Sequence, residues 1–298
     1  ANAQSMPMSE HLKLRTRATT AEGGKVGFET LPVLAHSQRG LVKLMGPGHN
    51  PLTVALDVWV ERQRLGSRIR SFARPTTAAK LQAYLGSPYP VVGLSTPEIR
   101  LIHKEFQKTH PDMTIQEVNL LAAALWSGET LEEKTFAIGL LGRHAKHLDE
   151  RSWALADFWV DEAIGWALSD GLASGPISAM VQAHPKHFAD ILRWTNAKNF
   201  WRRRASTYAL NDIVRAGDVE RAFRVLERLL YDEEFWVQRA VGTWLRECWK
   251  KDAKRTEAFL RKHVAGLPPV TITVATERAS KRFRNELRRR SRQARSKA

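Results

Sequence analysis

From Pro51 onward, apolar residues recur at helical spacing, beginning with Leu52, Ala55, Leu56 and Trp59, and helix-like segments then follow one another at short intervals. Two starts carry explicit signals. Ser95-Thr96-Pro97-Glu98 joins an N-cap to an early proline, and Thr114 stands three residues before Glu117 as a capping box. Breaks are expected at Ser127-Gly128-Glu129, Gly171 to Pro176, His184-Pro185, Gly217-Asp218 and Gly266 to Pro269. They leave helices of roughly ten to eighteen residues. Val270 to Val274 is the one stretch that could read as a strand.

Self-similarity shows how these helices are organised. Phe200-Trp201-Arg202-Arg203-Arg204-Ala205 with Leu210 returns as Phe235-Trp236-Val237-Gln238-Arg239-Ala240 with Leu245, an offset of 35 residues. A fixed period in this range marks two-helix repeats that bury their apolar faces only against their neighbours. The predicted class is all-α, a curved solenoid of such repeats. Residues 1–49 carry scattered Gly, Ser and Thr without periodicity and are read as an irregular N-terminal segment, followed by a repeat domain over 50–266 and a basic helix or tail over 267–298.

Charge narrows the partners. The 298 residues hold 47 Lys and Arg against 31 Asp and Glu, a net charge of +16. Such an excess draws in polyanions through long-range attraction and counterion release. Nucleic acid is the first expectation; no apolar run approaches the roughly 20 residues that span a bilayer. Nine Lys and Arg between Lys281 and Lys297 read most simply as a solvated tail adding unspecific phosphate affinity. Cys248 is the only cysteine, which excludes an intramolecular disulfide framework and fits a reducing cytoplasm. No secretory signal is expected from the first residues.

Few familiar catalytic patterns occur. There is no Gly-x-Ser-x-Gly turn and no lysine-bearing phosphate loop, and His144 with His147 lacks an evident third ligand, so no metal is expected. Trp153 and Asp157 stand four apart, on one face of a helix. By themselves they fit a buried indole beside a solvated carboxylate as readily as a joint site. Trp201 with Arg202 to Arg204, and Trp244 with Arg246, place indoles and guanidinium groups within a turn of each other, suited to stacking and phosphate contact. Arg204 and Arg239 are also period mates, so a framework role in the repeat is equally open.

Tyr84-Leu85-Gly86 followed by Pro90-Val91-Val92-Gly93-Leu94-Ser95-Thr96-Pro97-Glu98 resembles the N-terminal signature of the AlkD family of DNA alkylation repair proteins. The resemblance continues through Trp153-x-x-x-Asp157, Phe200-Trp201-x-x-Arg204-Ala205, and Phe235 to Gly242 with Leu245-Arg246-Glu247, and it spans roughly Asn50 to Ala265. It implies HEAT-like repeats with a positive groove. It also implies a monomeric, cofactor-free glycosylase that removes N3- and N7-alkylpurines such as 3-methyladenine and 7-methylguanine from double-stranded DNA in base excision repair, in the cytoplasm beside the nucleoid. On this resemblance Asp157 is catalytic and Trp153 assists it, while Arg204, Arg246, Arg239, Tyr84 and Trp244 contact DNA. One departure stands out: the family's second cleft tryptophan falls on Thr243, with Trp244 one residue later and so turned by about 100° on a helix. A relative that binds bent or damaged DNA without cutting it is the alternative.

Overall fold

The computed structural model describes residues 56–85 and 87–296, all within the second of two compact units, residues 48–298. The N-terminal segment read as irregular lies outside the described residues, as do Leu52 and Ala55. Everything described is helix, turn or loop.

Two helices open the described chain, α1 (Val58–Arg70) and α2 (Pro75–Leu85). Repeating pairs follow. The first helix of each pair is in turn α3 (Thr96–Thr109), α5 (Leu131–Arg143), α7 (Trp166–Leu172), α10 (Phe200–Tyr208), α13 (Phe235–Lys251) and α15 (Pro269–Ala275). Their starts fall 34 or 35 residues apart throughout. The period seen between two segments of sequence thus runs through six repeats. The second helices are α4 (Ile115–Trp126), α6 (Glu150–Glu162), α9 (Phe188–Trp194), α12 (Val219–Leu226), α14 (Ala253–His263) and α16 (Lys281–Arg295). Two short pieces complete the set, α8 (Ser178–Ala183) and α11 (Asn211–Arg215). Successive first helices pack side by side, α7 on α10, α10 on α13, and α13 on α15, which is the stacking a helical-repeat fold requires.

Local chemistry sets the pair boundaries. Thr114 caps α4 and accepts from the Glu117 N–H while the Glu117 carboxylate accepts from the Thr114 N–H at 2.8 Å. Thr130 and Glu133 make the same reciprocal bond at the start of α5, as Asp149 and Ser152 do at α6. Each box satisfies donors that a helix start otherwise leaves bare.

The break expected at Gly171 to Pro176 is a kink: α7 meets α8 at a π-helical turn, Ala173–Ile177, in which Gly175 leaves helical backbone (φ −95°, ψ −107°) just before Pro176. Two expectations change. Val270 to Val274 is helical within α15, because burial against α13 outweighs the strand preference of β-branched residues. Gly242 makes that closeness possible, since a Cβ there would lie 2.8 Å from the Val274 Cβ and 3.0 Å from the Thr271 carbonyl. The second change is the basic C-terminus. It forms the docked helix α16, capped by Ser280, with Phe283, Leu287 and Ser291 buried.

The Pro90 to Glu98 signature has a structural explanation. Its backbone N–H groups at Val92, Gly93 and Leu94 converge on the buried Glu132 carboxylate, with Gly93 N–H at 2.8 Å. Gly93 sits at φ 103°, and a Cβ there would meet the Arg74 carbonyl at 2.9 Å. Only glycine fits such a turn without strain. The loop thereby bolts α2 and α3 to the start of α5.

Candidate functional site

Helix α6 carries Trp153 and Asp157, and its surroundings send them to different environments. The apolar stripe of Trp153, Leu155, Ala156, Trp159 and Val160 faces the core. Trp153 is 8% exposed and lies flat on His187, with ring centres 3.9 Å apart and planes 17° apart; Trp194 follows in the same stack at 6.0 Å. Asp157 sits at the edge of this stripe with its side chain 40% exposed. The next residue, Phe158, stands 46% exposed.

Arg202, on the first turns of α10, holds this edge together. Its Nη1 donates to Asp157 Oδ1 at 2.7 Å and its Nη2 to the Asp157 carbonyl at 2.7 Å. Nε and Nη2 also reach the two oxygens of Asp161 at 2.8 and 2.9 Å. Beneath, the guanidinium lies 5.1 Å from the Trp194 ring centre, within cation–π range. Burial opposes its charge, but the Asp161 and Asp157 carboxylates outweigh that cost and raise its pKa. Stack, guanidinium and carboxylates thus form one unit: Trp153 supports Trp194, Trp194 supports Arg202, and Arg202 fixes Asp157 Oδ1. Asp157 Oδ2 has no hydrogen-bond partner among the described residues.

The DNA-contact candidates divide by exposure. Arg204 is 4% exposed and is held within the protein: Nε and Nη2 each meet Asp170 at 2.7 Å, Nη1 donates to the Trp236 carbonyl at 2.5 Å, and Nη2 to the Tyr208 hydroxyl at 3.1 Å. Phosphate contact is not open to it in this arrangement. Trp244 is likewise inside, 5% exposed, with its ring edge-on to Tyr208 at 5.6 Å and its indole N–H unpartnered. Thr243 occupies the half-exposed position instead, donating to the Arg239 carbonyl at 3.1 Å. The one-residue shift therefore moves the indole from surface to core.

Tyr84, Arg239 and Arg246 remain reachable. Tyr84 is 71% exposed and stands edge-on to Trp166, ring centres 5.4 Å apart. Arg239 is exposed and has no carboxylate partner among the described residues. Arg246 is half-buried and paired with Glu277 and with Glu247, the latter at 3.3 Å. Burial lowers its pKa, but the Glu277 bond more than offsets this.

In the sequence Trp201 to Arg204 stands out as a group, and of its three arginines only Arg204 matches a family position. Arg202, which touches Asp157, carries no signal of its own, because its partners lie 41 and 45 residues earlier. No group of three or more His, Cys, Asp or Glu among the described residues is arranged to hold a metal ion. No described helix is long and apolar enough to cross a membrane.

Comparison with known proteins places the fold. Residues 65–279 match the sequence profile of the family described as DNA alkylation repair enzyme. A solved structure titled a predicted DNA alkylation repair enzyme from Enterococcus faecalis superposes with a TM-score of 0.62 at 21% identity, covering 70% of this chain and 97% of its own. AlkD2 from Streptococcus mutans gives 0.51 at 17% identity, covering 68% and 97%. Among curated proteins none matches the chain significantly.

Proposed function

The chain belongs to the DNA alkylation repair enzyme family, and on that premise we propose that it hydrolyses the N-glycosidic bond of N3- and N7-alkylated purines, such as 3-methyladenine and 7-methylguanine, in duplex DNA. Alkylation at either nitrogen makes the base a cation. When the C1′–N9 bond breaks, its electron pair neutralises the purine, so the leaving group needs little help from an acid. Positive charge then builds on the sugar. A nearby carboxylate stabilises that oxocarbenium-like centre and orients the water that adds to C1′, whose released proton passes to the carboxylate or to solvent.

The observation that carries this reading is the state of Asp157: a solvent-reachable carboxylate whose Oδ1 is fixed by Arg202 while Oδ2 is unpartnered among the described residues. Arg202 acts as a positioning residue, and Trp153 acts through the stack beneath it. Tyr84, Arg239 and Arg246 supply DNA contacts. The protein works as a cytoplasmic monomer without metal or organic cofactor.

A second reading is favoured by the burial of Trp153, Arg204 and Trp244, which leaves fewer groups facing DNA than the sequence suggested. It is binding of alkylated DNA without cleavage. Release of 7-methylguanine and 3-methyladenine from methylated duplex DNA separates the two. Asp157→Asn should lower single-turnover release by about 100-fold, the usual size of one lost electrostatic contact in a transition state. Equal release by variant and wild type removes Asp157 from the mechanism, and tight binding by a wild type that releases nothing establishes the second reading.

A further inference from the structure

Helix α16 begins just beyond the last residue matched to the family, Ala279, and it has two opposed faces. One is docked. Phe283 and Leu287 are 4% and 0% exposed, Arg261 lies over the Phe283 ring at 4.6 Å and bonds Glu286 at 3.3 Å, and Arg284 donates to the Thr276 carbonyl at 2.9 Å. The other face presents Lys281, Arg282, Arg288, Arg289 and Arg292, all exposed and without a carboxylate partner among the described residues. At 100° per residue these five fall within one sector of roughly 120°, opposite the buried stripe, and Lys281 and Arg292 are about 16 Å apart along the axis.

We propose that this face of α16 is a second, preformed DNA-binding surface that grips the phosphate backbone of duplex DNA away from the excised base. The inference rests on the reading that DNA is the substrate. Charge complementarity selects the occupant: duplex DNA carries one phosphate per about 3.4 Å of axis on each strand, so ~16 Å of helix spans about five. Four of the five groups are arginines, whose planar fork suits phosphate oxygens. Like charges at i, i+3 and i, i+4, such as Arg289 with Arg292 and Arg288 with Arg292, weaken a helix with no partner, and a phosphate row relieves that repulsion. An anionic membrane fits less well, because an interfacial helix must insert its apolar face and here Phe283 and Leu287 are already buried.

The test uses the full chain with Arg288, Arg289 and Arg292 all changed to Gln, a matching triple change to Lys, and a control removing equal charge elsewhere, Lys80, Lys104 and Lys108 to Gln. Binding to undamaged duplex DNA is followed from low to moderate salt. At ~0.9 of slope in log K against log salt per phosphate contact, the arginine-to-Gln variant should lose about 2–3 of slope and bind at least tenfold more weakly at low salt. The Lys version should keep most of both, and the control should stay near wild type. An unchanged slope, or an equal loss in the control, overturns the proposal. So does arginine-dependent binding that appears only with single-stranded RNA or with phosphatidylglycerol vesicles. Base release from methylated DNA at saturating protein is measured alongside. Its persistence with an unchanged slope sinks this inference alone, whereas a wild type that neither binds duplex DNA nor releases a base sinks the functional reading with it.

Discussion

Arg204 offers a direct trial of structure against motif. A phosphate-binding arginine on a surface can be removed with little effect on stability, whereas Arg204 is buried and gives four hydrogen bonds to Asp170, Trp236 and Tyr208. Arg204→Ala would leave the Asp170 carboxylate, 16% exposed, without its counter-charge. Breaking a buried ion pair from one side costs about 3–5 kcal/mol. For a domain of this size each kcal/mol is worth about 2–4 °C in Tm, so a fall of about 10 °C is expected. The pair itself yields little net stability, since burial pushes the Asp170 carboxyl up even though Arg204 pulls it down. Removing both partners should therefore be far cheaper than removing one. Arg204→Met combined with Asp170→Leu should recover most of the lost stability in a double-mutant cycle followed by denaturant unfolding. A single Arg204→Ala variant within 2 °C of wild type but clearly weaker on DNA would refute this reasoning and return Arg204 to the DNA surface.

Two further outcomes follow from the fold. His103 is 2% exposed, stacked on Phe136 at 3.7 Å, with both ring nitrogens unpartnered; burial first, and Arg143 second, lower its pKa to about 3. The unfolded imidazole binds a proton near its ordinary 6.5 and the folded one does not, so stability is complete above that pH and falls as pH drops toward 3, by up to ~1.4 kcal/mol per unit. His103→Leu should flatten that fall in urea titrations at pH 7, 6 and 5, and an identical pH dependence in the two proteins would contradict it. Gly93→Ala should cost at least about 2 kcal/mol, from the left-handed backbone and from a Cβ placed 2.9 Å from the Arg74 carbonyl, and should lower Tm by several degrees; an unchanged Tm would show that the Glu132 loop relaxes freely.

The repeat was legible because two consecutive units keep Phe-Trp-x-x-Arg-Ala and a later Leu in register, and that one pair was enough to give a period that six helices obey. Side-chain direction was less legible. Trp153 and Asp157 are a turn apart on α6, yet one packs under His187 and the other meets solvent, because the burial boundary runs between them. For α16 the density of arginine concealed the apolar residues at Phe283 and Leu287, one turn apart, which lie at the centre of the docked face.

The three consecutive arginines show why net charge and usable charge differ. A step of 100° per residue sends neighbours in different directions: Arg202 back to Asp157 and Asp161 on α6, Arg203 to Asp232 just before α13, and Arg204 to Asp170 on α7. Each ties α10 to a different neighbour, and none of the three is exposed. A run that reads as the most basic point of the repeat domain is thus its most heavily neutralised. The excess of positive charge is carried instead by groups without carboxylate partners among the described residues, among them Arg239 on α13, the outer face of α16 and the exposed Lys80, Lys104 and Lys108. If DNA is gripped electrostatically, the salt dependence of binding should therefore respond to changes on α16 and at Arg239, and Arg203→Gln should alter stability while leaving that dependence as it is.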